Sequence, residues 1–161
     1  MRLIVIGAMA AVLMGASPLA AHPKVTSTKP ADRLSGPARG AAAAVDAFHA
    51  ALRRGDQNGA AALLAEDAVI FESGGVERTK AEYAASHLPA DAEFSRNVSS
   101  VVTHRIGASQ GASAWIASEG RTTGTYEGKA VDMLTAETMI LRRMREGWRI
   151  VHVHWSSAAA H

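Results

Sequence analysis

The sequence predicts an α+β domain in which a curved antiparallel sheet wraps over helices that precede it in the chain. Three observations carry this. Val45, Phe48 and Leu52 recur at helical spacing in the first half. Four long strand-like segments follow, separated by glycine-containing turns. The last two, Ala130 to Met144 and Trp148 to Trp155, read as a hairpin closed at Arg145-Glu146-Gly147. Helices first and an antiparallel sheet after is the α+β order. Such a sheet, curved over its helices, buries one face and leaves a cone with a cavity.

The chain opens on a processing signal. Arg2 is the only charge before the apolar run Leu3 to Met14, which leads to the small-residue end Leu19-Ala20-Ala21. That run is shorter than the roughly 20 apolar residues of a spanning helix. Residues 1–21 are therefore expected to be a cleaved signal peptide, leaving an exported, periplasmic protein with no stable membrane anchor. Residues 22–37 carry Pro23, Pro30 and Pro37 among polar residues and read as an extended arm. The domain proper is expected over 38–157, with a tail at 158–161.

Composition excludes several classes. There is no cysteine, so thiol nucleophiles, thiolate metal sites and disulfides are out. The 17 Lys and Arg are interspersed with 15 Asp and Glu. No basic patch of the kind nucleic acid requires is visible. Arg142-Arg143-Met144-Arg145 reads as a solvated hairpin end.

Taken in order, the first helix is expected over Ala38 to Arg54, with Ala41 and Ala44 beside the apolar stripe and Gly55 as the stop. Asp56 can cap a second short helix carrying Leu63 and Leu64. Ala68 to Glu72 is a short strand, turned by Ser73-Gly74-Gly75 toward Val76-Glu77. Thr79-Lys80-Ala81-Glu82 is a capping box. The helix it opens is expected to set Tyr83 and His87 on one face and to end at Pro89. Val98 to Ile106 and Ala112 to Tyr126 are the first two long strands.

This order, with Val45-Asp-Ala-Phe48, Ala51-Leu52, Gly55-Asp56, Leu64-Ala-Glu-Asp-Ala-Val69 and Gly147-Trp-Arg-Ile-Val-His-Val-His154, resembles the nuclear transport factor 2-like superfamily. Within it the chain is similar to bacterial SnoaL-like proteins of unassigned function. Its last two strands are also similar to the association domain of calcium/calmodulin-dependent protein kinase II. The resemblance implies a cone-shaped barrel, usually dimeric, in a superfamily of isomerases, cyclases, dehydratases and non-catalytic association modules. Fold alone does not choose among them. The isomerase pattern is incomplete: Tyr83 can stand for its Tyr, but only Asp132 is available for an Asp, and a rim location suits Asp132 equally. Two pocket arginines of the kinase domain align with Met139 and Trp155, so carboxylate binding and calcium signalling do not carry over. The same alignment turns Trp155 into the cavity and His152 and His154 to the opposite face.

The candidate pocket residues are Glu72, Tyr83, His87, Trp115, Glu137, Met139 and Trp155. Glu72, Glu77, Tyr83, His87 and Glu137 form its polar set, and Tyr83, His87 and Glu72 are the candidates for acid–base catalysis. Trp115, Trp148 and Trp155 with Met133 and Met139 read as core or pocket wall. His152 and His154 have the spacing of a two-histidine metal site, and are also explained as strand or interface residues. Cleavage after Ala21 would expose His22-Pro-Lys-Val-Thr-Ser-Thr-Lys-Pro-Ala-Asp32. This resembles the mature start of the CopC-type periplasmic copper-resistance proteins, which implies copper held through the amine and ring of His22. No other cofactor is expected, and there is no phosphate-binding glycine loop or nucleophile elbow.

The function expected is an exported, dimerising pocket protein for a small, largely apolar ligand. Two alternatives stand beside it. One is an isomerase, cyclase or dehydratase that uses a Tyr/His/Glu set. The other is a copper-handling protein.

Overall fold

The computed structural model describes residues 33–160. The expected signal peptide and His22 lie outside the described residues. The end of the expected arm is already part of the domain: Arg33–Leu34 (β1) lies on the sheet, and Gly36–Ala38 makes a 3-10 turn. Helix α1 follows over Arg39–Arg54. Its buried stripe is Ala41, Val45, Phe48 and Leu52, at the spacing of one helical face. Gly55 ends it with φ of 70°, a left-handed conformation that costs glycine little, and its N–H closes onto the last turn.

Helix α2 spans Gln57–Leu63, and the Asp56 carboxylate accepts from Gly59 N at 2.8 Å. Leu64 belongs to the next strand, β2 (Leu64–Glu72), which turns into β3 (Gly75–Glu77). Helix α3 covers only Lys80–Ala85. Thr79 caps it as expected, through Glu82 N at 3.1 Å. The Glu82 carboxylate, however, reaches Arg78 N at 2.7 Å, one residue before the cap.

One expectation is corrected here. Pro89 does not end the helix of Tyr83; it sits in the first turn of a further helix, α4 (Leu88–Asn97). Proline lacks an N–H, and first-turn amides have no helical partner, so Pro89 opens a helix as readily as it closes one. His87 falls between the two helices and does not share the face of Tyr83.

Four long strands complete the chain: β4 (Val98–Gln110), β5 (Ser113–Tyr126), β6 (Lys129–Met144) and β7 (Gly147–Ala159). The strand order is β1-β4-β5-β6-β7-β2-β3, and β1–β4 and β2–β7 are parallel pairs. The sheet is thus mixed rather than wholly antiparallel. It is curled but unclosed, with β1 and β3 as its edges. The helices cover its inner face. Phe48, Tyr83 and Leu88 from the helices bury against Ile70, Ile116, Met139, Leu141, Ile150 and Val153 from the strands.

Two bulges decide what faces inward. In β7 the register with β6 slips between Ile150 and His152. Trp148 and Ile150 are buried on one side of the slip, Val153 on the other. Strict alternation would put Trp148 on the face of His152 and His154; the extra residue, Val151, returns Val153 and Trp155 to the interior. In β4 the register with β5 slips between Val102 and His104. Ser100 faces inward before the slip, on Thr122 at 2.8 Å, and Arg105 faces inward after it, on Ser118. Gly107 leaves no room for a side chain: a Cβ there would lie 2.7 Å from Trp115 O and from Ile116 Cδ1.

Phe48 is fully buried and lies under Trp155, with ring centroids 6.3 Å apart. Phe48→Ala is expected to cost about 3–5 kcal/mol, read as a lower urea midpoint at unchanged slope.

Candidate functional site

The inner face of the sheet and helices α1 and α4 enclose a cavity of about 230 Å³. Leu52, Phe94, Val101, Val102 and Met133 give it apolar walls. Its polar groups fall into two sets.

The first set is built on Glu137 in β6. Asp46, His49 and Arg53 make a polar stripe at helical spacing on α1, and all three line the cavity. His49 donates Nε2–H to Glu137 Oε2 at 2.6 Å, and Trp155 donates Nε1–H to the same oxygen at 2.8 Å. Trp155 is the cross-strand partner of Glu137, and its indole lies between Phe48 and Tyr83. Arg105, 8% exposed, gives Nη1 to Asp46 at 2.6 Å and Nε to Ser118 at 3.0 Å. Burial pushes the Glu137 carboxyl up. The hydrogen bond and charge of His49, the Trp155 N–H and the charge of Arg105 outweigh it, and the group stays below the usual glutamate value.

The second set gathers near the rim. Tyr83 is fully buried and donates O–H to Asp91 Oδ2 at 2.7 Å. Burial raises the Asp91 carboxyl above the usual range, against the Tyr83 hydrogen bond and the charge of His87. Glu72 is raised as well, first by burial and then by the like charges of Asp91 and Glu77. Burial and then the charge of Asp91 push the Tyr83 phenol up. Glu72 is the neighbour of Trp155 in β7, and Glu137 is its neighbour on the other side. Glu72, Trp155 and Glu137 therefore form one row across three strands. Strands lie about 4.8 Å apart, which sets the two carboxyl-bearing backbones about 10 Å from each other. The two carboxyls of this row are pushed in opposite directions.

Of the expected pocket residues, Glu72, Glu137 and Trp155 line this cavity. Tyr83 stands behind Asp91, and Met139 is fully buried in the core beneath. Three expectations need correction. Trp115 is 42% exposed, because Ala114, Ile116 and Ser118 take the inward positions of β5 and alternation turns Trp115 out. His87 does not line the cavity; its ring is bonded to Glu77 with the side chain 61% exposed, and that bond raises its pKa. Tyr83 and His87 therefore do not converge as an acid–base pair. Asp132 pairs with Arg121 through bonds of 2.7 and 2.6 Å on the exposed sheet.

His152 and His154 lie on the outer face. His152 Nδ1 bonds Val69 O at 3.0 Å, and both rings pack on Phe71. Among the described residues, no group of three or more metal-ligating side chains converges.

Sequence reasoning missed His49, Arg105 and Asp91. The stripe Asp46, His49, Arg53 was visible as helical spacing beside the apolar stripe. Arg105 had no such signal, since its direction depends on the β4 bulge. Asp91 was hidden by reading Pro89 as a helix end.

The profile of the SnoaL-like domain matches residues 41–160. A Shewanella frigidimarina protein, provisionally named a ketosteroid isomerase, has a crystal structure 35% identical to this chain. It superposes over 76% of this chain and 99% of its own, at a TM-score of 0.71. A provisionally named calcium/calmodulin-dependent protein kinase II association domain from Xanthomonas campestris is 25% identical over 77% of this chain and 89% of its own, at 0.66. A provisionally named dehydratase of the NTF2-like family, from Streptomyces avermitilis, shares the fold at 21% identity, over 77% and 97% of the two chains and at 0.64. Comparison with curated proteins finds no match.

The lowered Glu137 carboxyl has a definite consequence for stability. Its contacts stabilise the fold fully above pH 4.5, the ordinary glutamate value, and the contribution is lost as pH falls through the lower folded value. Glu137→Gln is thus expected to be clearly less stable than the native chain at pH 7, with the gap closing below pH 4.5. Urea titrations across that range check it.

Proposed function

We propose, from the premise that this chain belongs to the SnoaL-like domain family, that it is an exported pocket protein that binds a small, largely apolar ligand and acts as a homodimer. The observation that carries the ligand reading is the cavity itself. It combines apolar walls with polar groups of which several, Glu137, Asp91 and Arg105 among them, are held by neighbours at defined positions, the usual build of a small-molecule site. Export rests on the signal-like residues 1–21.

Dimerisation is supported by the outer face of the sheet. Trp115, Ile140 and Phe71 are each more than 40% exposed there. Trp115 pairs with Ile140, Ile140 with His152 and Phe71 with His154, so they form one continuous patch. A contiguous apolar patch rimmed by polar residues marks an interaction surface. The neighbour named as a calcium/calmodulin-dependent protein kinase II association domain suits this use of the fold.

A second reading, proton-transfer chemistry of the isomerase kind, is favoured by one observation. Glu72 and Glu137 flank Trp155 in one row with their pKa values pushed apart, the pattern that separates an acid from a base. The relative named as a ketosteroid isomerase supports it. Any turnover found should then fall at least tenfold in both Glu72→Gln and Glu137→Gln, and unchanged rates in both would exclude it.

For the main reading, a screen of small neutral aromatic and alicyclic compounds should raise the melting temperature by several degrees at saturation. Sedimentation should give a dimer, and Trp115→Glu combined with Ile140→Asp should give a folded monomer. A monomeric native protein with no compound shifting its melting would overturn the proposal.

A further inference from the structure

Two histidines stand one after the other on the outer face of β7, and both rings pack on one side chain. The ring centroid of Phe71 is 5.1 Å from that of His152 and 6.5 Å from that of His154. His152 Nδ1 lies 3.0 Å from Val69 O. A carbonyl oxygen only accepts, so this nitrogen carries a proton and donates it. The bond fixes the ring and leaves Nε2 as the nitrogen offered outward. That atom has no hydrogen bond among the described residues, and it is not among the polar atoms sealed from solvent. A histidine that gives one N–H to a backbone carbonyl is oriented as metal-ligating histidines are. His154 is exposed and makes no hydrogen bond among the described residues, so its ring can turn to join its neighbour.

The surroundings choose the kind of ion. The cross-strand partners of His152 are Ile140 and Val69, and those of His154 are Thr138 and Phe71. None is charged. These rows offer no carboxylate to a hard cation such as calcium or magnesium, and imidazole nitrogens suit zinc, copper and nickel. Two residues advance about 6.7 Å along a strand, a gap that two imidazoles leaning together span around one ion. Zinc takes four such ligands, and among the described residues no third ligating side chain converges. The pair lies inside the apolar patch, with Ile140 and Trp115 to one side and Phe71 to the other. A two-fold contact sets a patch against itself. Centred on this patch, it sets β7 of one copy against β7 of the other.

We propose that His152 and His154 bind a divalent transition-metal ion, zinc(II) foremost, and that the same pair from a second copy completes its four nitrogen ligands. The ion then bridges the dimer and strengthens it. The inference rests on the homodimer reading and adds a metal site at its centre.

The test uses the untagged mature protein at about pH 7.5, where free imidazole is mostly neutral. Its dimer dissociation constant is measured by sedimentation, in chelator and then in zinc(II). Trp115→Glu, which weakens the apolar contact, is measured beside it to keep dissociation within range. An ion that binds the dimer and not the monomer tightens it by the factor 1 + [L]/Kd, so zinc at about a hundred times its Kd should give at least about a tenfold gain. Metal analysis should find one zinc for two chains. Cobalt(II) in its place should show the visible absorption of a tetrahedral nitrogen site. In His152→Gln and in His154→Gln, each checked as folded by its melting curve, the gain and the cobalt absorption should vanish.

A native dimer indifferent to zinc and chelator would leave the homodimer reading standing and overturn this proposal. A gain that survives in both variants would overturn it as well, since the ligands then lie elsewhere. So would one zinc per chain without tighter association. A monomer at every zinc concentration would overturn both readings together.

Discussion

A carboxylate held almost entirely out of water survives only if its neighbours replace the water, and Glu137 is the group on which this structure turns. It is 10% exposed, and one oxygen accepts from both His49 and Trp155. Leaving such a charge without a partner costs several kcal/mol, so the requirement is strict. It ties α1, β6 and β7 together: the helix supplies His49, the first strand the carboxylate, the second the indole. The same contacts set the polar end of the cavity. Stability and the polar lining of the cavity thus share one interaction, and the apolar core beneath it, with Phe48 against Trp155, keeps the indole where the carboxylate needs it.

The sheet reaches this arrangement by breaking its own alternation twice. A regular β7 would have sent either Trp148 or Trp155 outward, since their positions have opposite parity. The slip after Ile150 allows Ile150 and Val153 both to be buried, and it leaves His152 and His154 beside Phe71 on the outer face. The slip before His104 turns Arg105 toward Asp46 and Ser118 in the same way. Bulges add a residue without adding a ladder position, and both here re-aim a side chain that lines the cavity. The outer face then collects what the inner face rejects: Trp115, Ile140, Phe71 and two histidines.

Much of the fold was legible because it is written in periodicity. The stripe Val45, Phe48, Leu52, the stop at Gly55 and the cap at Asp56 are local signals, and each forms as read. The long strands and their turns were legible for the same reason. The parallel pairings of β1 with β4 and β2 with β7 were not, because long-range pairing leaves no local trace. Pro89 misled because its chemistry permits both ends of a helix. Of the site, Glu137 and Trp155 were both expected in the cavity wall, Trp155 through the kinase-domain alignment; their direct pairing depends on the β7 bulge, which the turn does not announce. His49 was readable but overlooked. Trp115 was misplaced because aromatic character does not tell which face of a strand it takes.

The central claim is that an ionised Glu137 joins His49 to Trp155. The most direct measurement is the indole Nε1–H resonance of Trp155 followed by NMR from pH 7 downward, compared with Glu137→Gln. A strongly hydrogen-bonded signal is predicted, one that moves with a midpoint below pH 4.5 and is clearly shifted in the variant at pH 7. A signal that titrates at or above pH 4.5, or that is the same in both proteins, would contradict it.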